Sequence, residues 1–278
     1  MKTSLHATII LGTLCLAACE SEFEPLPSRL VLEGCFDSMG YPDIILTRSI
    51  VTDGTNTDVS ELLMRWATVR ISDDSGREVI LTGSPSKRHF PPYHYTTTEM
   101  RGEPGRTYTI TATYRDLSVT ATARMPYPTL IDSVSSAPVS DNDTLRALTL
   151  HFTAPKDCPA YYHVSTMLHG CDGRFLPGTL GVVEATTPGA AMSVPAMRAK
   201  SSVDTADFVP HMPAGALCGI RLERVEPEIY EFWKVFSNQA LFGSSEFFDT
   251  TFSLPGNVEG GFGIWSPQGV DIVYIEVE

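Results

Sequence analysis

The clearest structural signal in this chain is the segment Glu103-Pro104-Gly105-Arg106-Thr107-Tyr108-Thr109-Ile110-Thr111-Ala112-Thr113-Tyr114. Proline and glycine at its start predict a turn, and the β-branched and aromatic residues that follow predict a strand over residues 109–114. Residues 118–123 continue this pattern and predict the returning strand of a hairpin. Because Tyr108 directly follows the turn, we expect its ring to be buried and its hydroxyl group to bond a turn carbonyl.

Further short strands are predicted before this hairpin. Apolar and polar residues alternate, or β-branched residues dominate, in residues 30–34, 44–47, 67–72 and 78–82. The polar connection Asp73-Asp74-Ser75-Gly76-Arg77 has a glycine where a hairpin needs positive φ. Many short strands without helical periodicity indicate an immunoglobulin-like or transthyretin-like β-sandwich, which we assign to residues 29–125.

A second sandwich is predicted over residues 126–278. Met125-Pro126-Tyr127-Pro128 breaks the strand pattern, because proline lacks the donor that a central strand needs. Residues 145–152, 161–168 and 217–225 then resume that pattern, and we expect a fibronectin type III-like fold. The segment 170–215 is rich in Gly, Pro, Ala and Ser and predicts a long irregular insertion.

One amphipathic helix is predicted over residues 227–241. Ile229, Phe232, Trp233, Phe236 and Ala240 recur at helical spacing and form one apolar stripe. Pro227 suits the first turn of a helix, where its missing N–H is not needed. We expect this stripe to pack against a sheet rather than to bind a ligand.

The first residues predict a lipid anchor. Lys2, an apolar run over residues 9–18 and the sequence Leu16-Ala17-Ala18-Cys19 form a lipoprotein signal peptide over residues 1–18. Cleavage would leave Cys19 as the acylated first residue, and the alternative is a plain secretory peptide in which Cys19 is incidental. Residues 19–28 are predicted to form an acidic tether. This tether is either an ordinary linker or similar to a surface-export signal.

Charge and cysteine usage limit the partners and the redox chemistry. The formal net charge is −13, which disfavours nucleic acid as a partner. An exported chain allows disulfides among Cys35, Cys158, Cys171 and Cys218. Cys171 ends one predicted strand and Cys218 begins another, so we predict that these two pair, while Cys35 and Cys158 stay unassigned.

Catalytic and metal-binding motifs are missing from the sequence. The histidines after the signal peptide do not form the helical pair with a central glutamate that a zinc site of that type needs, and we expect His163 to lie at the surface. Nucleophile elbow, P-loop and dinucleotide fingerprints are also missing. We therefore predict neither an enzyme, nor a metal site, nor a cofactor.

The loop Arg88-His89-Phe90-Pro91-Pro92-Tyr93-His94-Tyr95 concentrates aromatic rings where prolines prevent regular pairing. Phe90, Tyr93, His94 and Tyr95 are therefore candidates for contacting a ligand or a partner. The alternative is that these rings lie beneath the loop as a small packed cluster.

A repeated Asp-Ser/Thr-apolar pattern resembles the O-glycosylation acceptor of exported Bacteroidota proteins. Because glycans are bulky, we expect its sites to lie in exposed loops. The candidate acceptors are Ser38, Ser133, Thr144, Thr205 and Thr250.

The segment Gly256-Asn257-Val258-Glu259-Gly260-Gly261-Phe262-Gly263-Ile264-Trp265 resembles the closing motif of a Bacteroidota lipoprotein family, domain of unknown function 4249. The lipobox, the opening strand Leu30-Val31-Leu32-Glu33-Gly34, the turn before Tyr108 and the late helix occur in the same order. The segment 178–215 departs from the family pattern. This resemblance implies an outer-membrane lipoprotein encoded beside a TonB-dependent transporter, and it supplies no catalytic residues.

Together these features predict a mainly β, two-domain lipoprotein that is held in the outer membrane by acyl chains and faces the cell exterior. We expect it to act without catalysis, as an accessory or ligand-capture partner of a TonB-dependent transporter. The alternative is a structural or adhesive surface protein that binds host or matrix components.

Overall fold

The computed structural model of the chain describes residues 28–49, 62–139, 142–199, 208–242 and 254–278. The signal peptide, Cys19, Thr205 and Thr250 lie outside the described residues. Within them, no helix is both long and apolar enough to cross a membrane.

The described residues form a mainly β fold with a single helix, as the sequence predicts. The elements are β1 (Leu30–Asp37), β2 (Pro42–Arg48), β3 (Thr68–Asp73), β4 (Glu78–Ile80), β5 (Thr82–Pro85), β6 (Tyr93–Thr96), β7 (Thr107–Tyr114), β8 (Leu117–Arg124), β9 (Ile131–Val139), β10 (Asn142–Thr153), β11 (Ala160–Leu168), β12 (Leu176–Ala185), β13 (Ala191–Pro195), β14 (Met212–Pro213), β15 (Leu217–Val225), α1 (Pro227–Phe242) and β16 (Phe262–Glu276).

One long sheet runs through both halves of the chain. Its eight strands follow the order β12-β11-β15-β16-β1-β2-β6-β5. A four-stranded sheet, β4-β3-β7-β8, packs against one end, and the sheet of β9, β10, β13 and β14 packs against the other. The result is two sandwiches that share a continuous layer.

Strand β16 joins the two sandwiches. Its first half pairs in parallel with β1, from Phe262 opposite Val31 to Gln268 opposite Asp37. Its second half pairs antiparallel with β15. The predicted C-terminal domain, residues 126–278, therefore contains a half-strand that completes the first sandwich.

The first core is built around Trp265, which is fully buried. Its indole Nε1 donates a hydrogen bond to the Tyr108 carbonyl oxygen at 3.0 Å, and its ring lies over Gly34. A Cβ atom at Gly34 would stand 2.8 Å from the Trp265 ring, so this position needs glycine. Phe36 packs edge-on against Tyr108, with ring centroids 4.7 Å apart.

Tyr108 occupies the corner position that the sequence predicts, with one difference. Its ring is buried, as expected. Its hydroxyl oxygen, however, accepts a hydrogen bond from the Glu103 backbone N–H at 2.8 Å rather than bonding a carbonyl. The tyrosine thus satisfies a turn donor and fixes the approach to β7.

The second core lies between β11 and β15 on one side and β10 on the other. Phe152 and Tyr162 form its aromatic centre, with ring centroids 4.7 Å apart. The predicted irregular insertion is wrong in part, because 170–215 contains β12, β13 and β14. Backbone pairing with β10 and β11 orders the described strands of this glycine- and proline-rich segment despite its weak periodicity.

The predicted helix is confirmed as α1, and it packs on the long sheet. Ile229 and Tyr230 form a third apolar cluster with Val225 and Ile264. Because side chains alternate across a strand, α1 covers the face of β11 opposite Tyr162 and Val164. The long sheet is thus buried on both faces at this point.

Replacing Trp265 by alanine should lower the free energy of unfolding by about 3–5 kcal/mol, since it empties the centre of the first core. Trp66→Ala is the matched control, because Trp66 is 90% exposed, and it should change stability by less than about 0.5 kcal/mol. Urea denaturation followed by circular dichroism measures both variants. Equal losses in the two would contradict the central position of Trp265.

Candidate functional site

The outer face of the long sheet carries a group of buried polar side chains, which we call the buried network. The strand register aligns them, since the pairing of β11 with β15 sets His163 opposite Glu223 and Ser165 opposite Arg221. Pairing of β1 with β16 sets Asp37 opposite Gln268. The members of the buried network are Asp37, His163, Ser165, Arg221, Glu223 and Gln268.

Glu223 is the centre of the buried network. Its carboxylate accepts a hydrogen bond from the Ser165 hydroxyl at 2.8 Å and lies 2.5 Å from His163 Nδ1. Arg221 Nε stands 2.6 Å from the same carboxylate as an ion pair. Glu223, His163 and Ser165 are buried and the Arg221 side chain is 15% exposed, so Glu223 is held as a charged group inside the protein.

Arg221 connects Glu223 to a second carboxylate. Its guanidinium approaches both oxygens of Asp37, at 3.1 and 3.2 Å. Gln268 Nε2 donates a further hydrogen bond to Asp37 Oδ1 at 2.7 Å, and the Phe175 ring lies 5.7 Å from the guanidinium. One arginine therefore ties β15 to β1 across β16.

The charges of the network shift the pKa values of its members. Burial favours the neutral carboxyl, but Arg221 and His163 outweigh it and lower the pKa of Glu223 to about 2. Burial raises the pKa of Asp37 despite the opposing charge of Arg221. Burial, followed by the charges of Asp37 and Asp43, raises the pKa of the neighbouring Cys35 thiol. Cys35 thus stays a protonated, weakly nucleophilic thiol.

His163 is not at the surface, which corrects the sequence-based expectation. It is 1% exposed, and its ring stacks on Trp233 of α1, with centroids 4.3 Å apart and planes 7° from parallel. His163 Nε2 and Trp233 Nε1 are both buried without a hydrogen-bond partner. The apolar stripe of α1 therefore acts as a cover over the network.

The order of contacts in the network does not suit nucleophilic catalysis. A serine nucleophile needs its hydroxyl on the imidazole and the carboxylate behind that imidazole. Here the Ser165 hydroxyl bonds the carboxylate of Glu223 directly, and His163 bonds the same carboxylate. The group is consequently a structural charge cluster, buried under α1.

A second polar group, Asp43, His89 and His94, lies further along the long sheet, and we call it the histidine cluster. His94 Nδ1 is 2.6 Å from Asp43 Oδ1, and His89 Nε2 is 2.8 Å from Asp43 Oδ2. The two imidazole rings stack with centroids 4.5 Å apart. The sequence analysis found no metal site, yet here three groups of metal-ligating type converge.

The histidine cluster depends on pairing between β2 and β6, which sets Asp43 opposite Thr96. Because side chains two residues apart share a face, His94 comes beside Asp43. The loop between β5 and β6 then returns His89 to the same carboxylate. The only sequence signal was a pair of histidines flanking Pro91 and Pro92, which does not reveal Asp43.

The aromatic loop candidates divide into one exposed ring and three engaged ones. Phe90 is 72% exposed, whereas Tyr93 packs edge-on against Tyr95 at 5.6 Å. Tyr95 is buried, and its hydroxyl donates to the Met64 carbonyl and accepts from the Ala67 N–H. Tyr95 is thus corrected to a core residue, and His94 belongs to the histidine cluster.

The three glycosylation candidates among the described residues do not lie in exposed loops. Ser38 is buried, and its hydroxyl accepts a hydrogen bond from the Val270 N–H at 2.8 Å, so its prediction is corrected. Ser133 and Thr144 are exposed but lie within β9 and β10. Thr205 and Thr250 fall outside the described residues.

The predicted disulfide between Cys171 and Cys218 is not formed, and all four cysteines in the described part of the chain are free thiols. Strand pairing sets Cys218 opposite Leu168, and Cys171 lies in the turn beyond. The Cys218 side chain is directed into the second core, 3.9 Å from Met212 Sδ. Register, which the sequence does not show, therefore separates the two thiols.

Comparison with known families gives one match. A family model described as "Domain of unknown function (DUF4249)" matches residues 19–269. A search of curated proteins finds no match.

Replacing Glu223 by glutamine should lower the free energy of unfolding by about 3–5 kcal/mol at neutral pH, because Arg221 loses its buried counter-charge. The folded-state pKa of about 2 is below the ordinary 4.5. This stabilisation is therefore complete above the ordinary value and is lost as pH falls toward 2. The gap between wild type and variant should narrow in that window, as measured by urea denaturation at each pH.

Glu78→Gln is the control for the Glu223 experiment. Glu78 pairs with Arg70 at 3.1 Å, but both side chains are about half exposed, so the loss should be below about 1 kcal/mol. A gap between wild type and Glu223→Gln that stays constant down to pH 2 would contradict the charged state of Glu223.

Proposed function

The chain belongs to the DUF4249 family, and on that premise we propose that it is a surface-exposed outer-membrane lipoprotein of a Bacteroidota cell. We propose further that it acts, without catalysis, as an accessory or ligand-capture partner of a TonB-dependent transporter. The exposed Phe90 on an internally braced loop carries the capture part of this proposal. The lipobox carries the anchoring part.

The anchor is supported by two observations on the sequence. Leu16-Ala17-Ala18-Cys19 follows an apolar run that is short for a membrane-spanning helix. The family match begins at residue 19, the same position at which cleavage would start the mature protein. Several acyl chains on Cys19, each methylene contributing about 0.8 kcal/mol, would hold the chain on the membrane durably.

The capture role is supported by the loop that carries Phe90. The side chain before it, His89, is hydrogen-bonded to Asp43 and Ser86, and the Ser86 N–H donates to the Pro92 carbonyl. An exposed aromatic ring on a braced loop loses little conformational entropy when it is buried by a partner. Such rings are frequent anchors of protein interfaces.

A binding role without catalysis is supported by the state of the polar groups. The buried network lies under α1 with its charges paired, and the Cys35 thiol has a raised pKa. Neither feature presents an activated nucleophile, so we assign recognition to the surface. The same reasoning would apply to an adhesive protein, so the partner distinguishes the two roles.

Substitution of Cys19 by alanine should release the protein from the membrane fraction, since acylation at that thiol is the proposed anchor. Fractionation of cells followed by intact-mass measurement tests this in the native host. Cys35→Ala is the matched control and should stay membrane-bound with the acyl mass. A wild-type protein of unmodified mass, or one that retains residues 1–18, would contradict the anchor.

Phe90→Ala should weaken capture of the TonB-dependent transporter encoded beside this protein by roughly tenfold, without unfolding the domain. Purification from native membranes in mild detergent, with mass spectrometry of the co-purifying barrel, measures it. Phe262→Ala is the matched control, because Phe262 is an exposed phenylalanine, at 51%, that lies on β16 rather than on the loop. Unchanged capture by Phe90→Ala, or binding to host matrix without any barrel, would overturn this role.

A further inference from the structure

We propose that the histidine cluster binds a first-row divalent metal ion through Asp43, His89 and His94. Two imidazoles and one carboxylate form a ligand set that suits Zn²⁺, Cu²⁺, Ni²⁺ or Fe²⁺. Ca²⁺ and Mg²⁺ prefer oxygen ligands and are disfavoured here. This inference does not rest on the proposed transporter role, and either can fail alone.

The first argument is the convergence of the three ligating groups. One ligand atom from each lies within 4.8 Å of the other two. The two nitrogens already face separate oxygens of one carboxylate, at 2.6 and 2.8 Å. Bonds of about 2.0–2.2 Å to a metal imply separations between ligand atoms of roughly 3–3.5 Å. The two nitrogen–oxygen separations therefore need to widen by less than about 1 Å to receive an ion.

The second argument is the partner of the other nitrogen of His89. Metal-binding histidines usually donate their second ring N–H to an oxygen that fixes the ring and its tautomer. His89 Nδ1 lies 2.7 Å from the Ser86 hydroxyl oxygen. A hydroxyl can donate to a neutral ring nitrogen or accept from its N–H, so it suits both the free and the metal-bound tautomer.

The third argument is the graded exposure of the cluster. The side chain of His89 is 8% exposed, that of His94 is 18% and that of Asp43 is 38%. An ion can thus enter from the Asp43 side, while the imidazoles are held by surrounding protein. An accessible side also leaves room for water or an external donor as a further ligand.

The competing explanation is that Asp43 accepts hydrogen bonds from both histidines and holds the loop without an ion. The two explanations differ in what happens when a metal is added. A binding site takes up one ion saturably and depends on both imidazoles. A hydrogen-bonded bridge takes up none at these residues.

The test uses the full chain purified in mild detergent and stripped with chelator, and the probe is Zn²⁺ alone. Calorimetric titration should show one saturable site in the wild type, and added Zn²⁺ should raise the melting temperature. His89→Gln and His94→Gln should each weaken this binding by at least about tenfold, and Ser86→Ala by roughly tenfold. Circular dichroism checks that each variant is folded.

The matched control is His151→Gln. His151 is a half-buried imidazole on β10, outside the histidine cluster, and it is held by the hydroxyls of Ser135 and Ser193 at 2.8 and 2.9 Å. Its replacement should leave Zn²⁺ binding unchanged. The electronic spectrum of the Co²⁺ form should show nitrogen and oxygen coordination without a thiolate charge-transfer band.

Two outcomes would overturn the proposal. One is a wild-type chain that shows no saturable Zn²⁺ site in the titration. The other is binding that persists unchanged in folded His94→Gln, or a thiolate band, since either would place the ion elsewhere.

Discussion

The double pairing of β16 is the constraint on which the rest of the structure depends. One strand supplies Trp265 to the first core and then forms the neighbour of β15 beside the second. Because backbone donors and acceptors must be paired inside a sheet, neither sandwich is complete at that edge without β16. The double pairing of β16 also makes the ion pair between Arg221 and Asp37 possible, since it brings β1 within reach of β15. The buried network is therefore a product of the shared layer rather than of either sandwich alone.

The sequence predicts local features well and long-range pairing poorly. Neighbouring residues determine the period-two alternation, the turn at Pro104 and Gly105 and the apolar stripe of α1. The mainly β class and the helix could therefore be predicted. The parallel pairing of β1 with β16 leaves no local pattern. The sequence predicts a surface position for His163, but β11 is buried on both faces. A strand of this kind lacks the alternation of apolar and polar residues that identifies its solvent-facing side.

The candidate site illustrates the same limit in chemical terms. His89 and His94 flank a proline pair in the sequence. Their role as possible metal ligands depends on Asp43, which the pairing of β2 with β6 brings beside them. The expected disulfide failed for the complementary reason. The positions of Cys171 and Cys218 at strand ends suggest that they are close. In the structure, however, Cys218 pairs with Leu168, and its side chain is buried in the core. In both cases the spacing along the chain was known and the pairing across strands was not.

The position of β16 late in the chain sets the order in which the protein can fold. The Trp265 ring can reach Gly34 only after nearly all the other described strands have been synthesised, and contacts of such large sequence separation form slowly. Until then the first core lacks its central side chain, and the edges of β1 and β15 stay unpaired. A partly synthesised chain can therefore form local hairpins such as β7–β8, but neither sandwich can close at that edge before β16 is present.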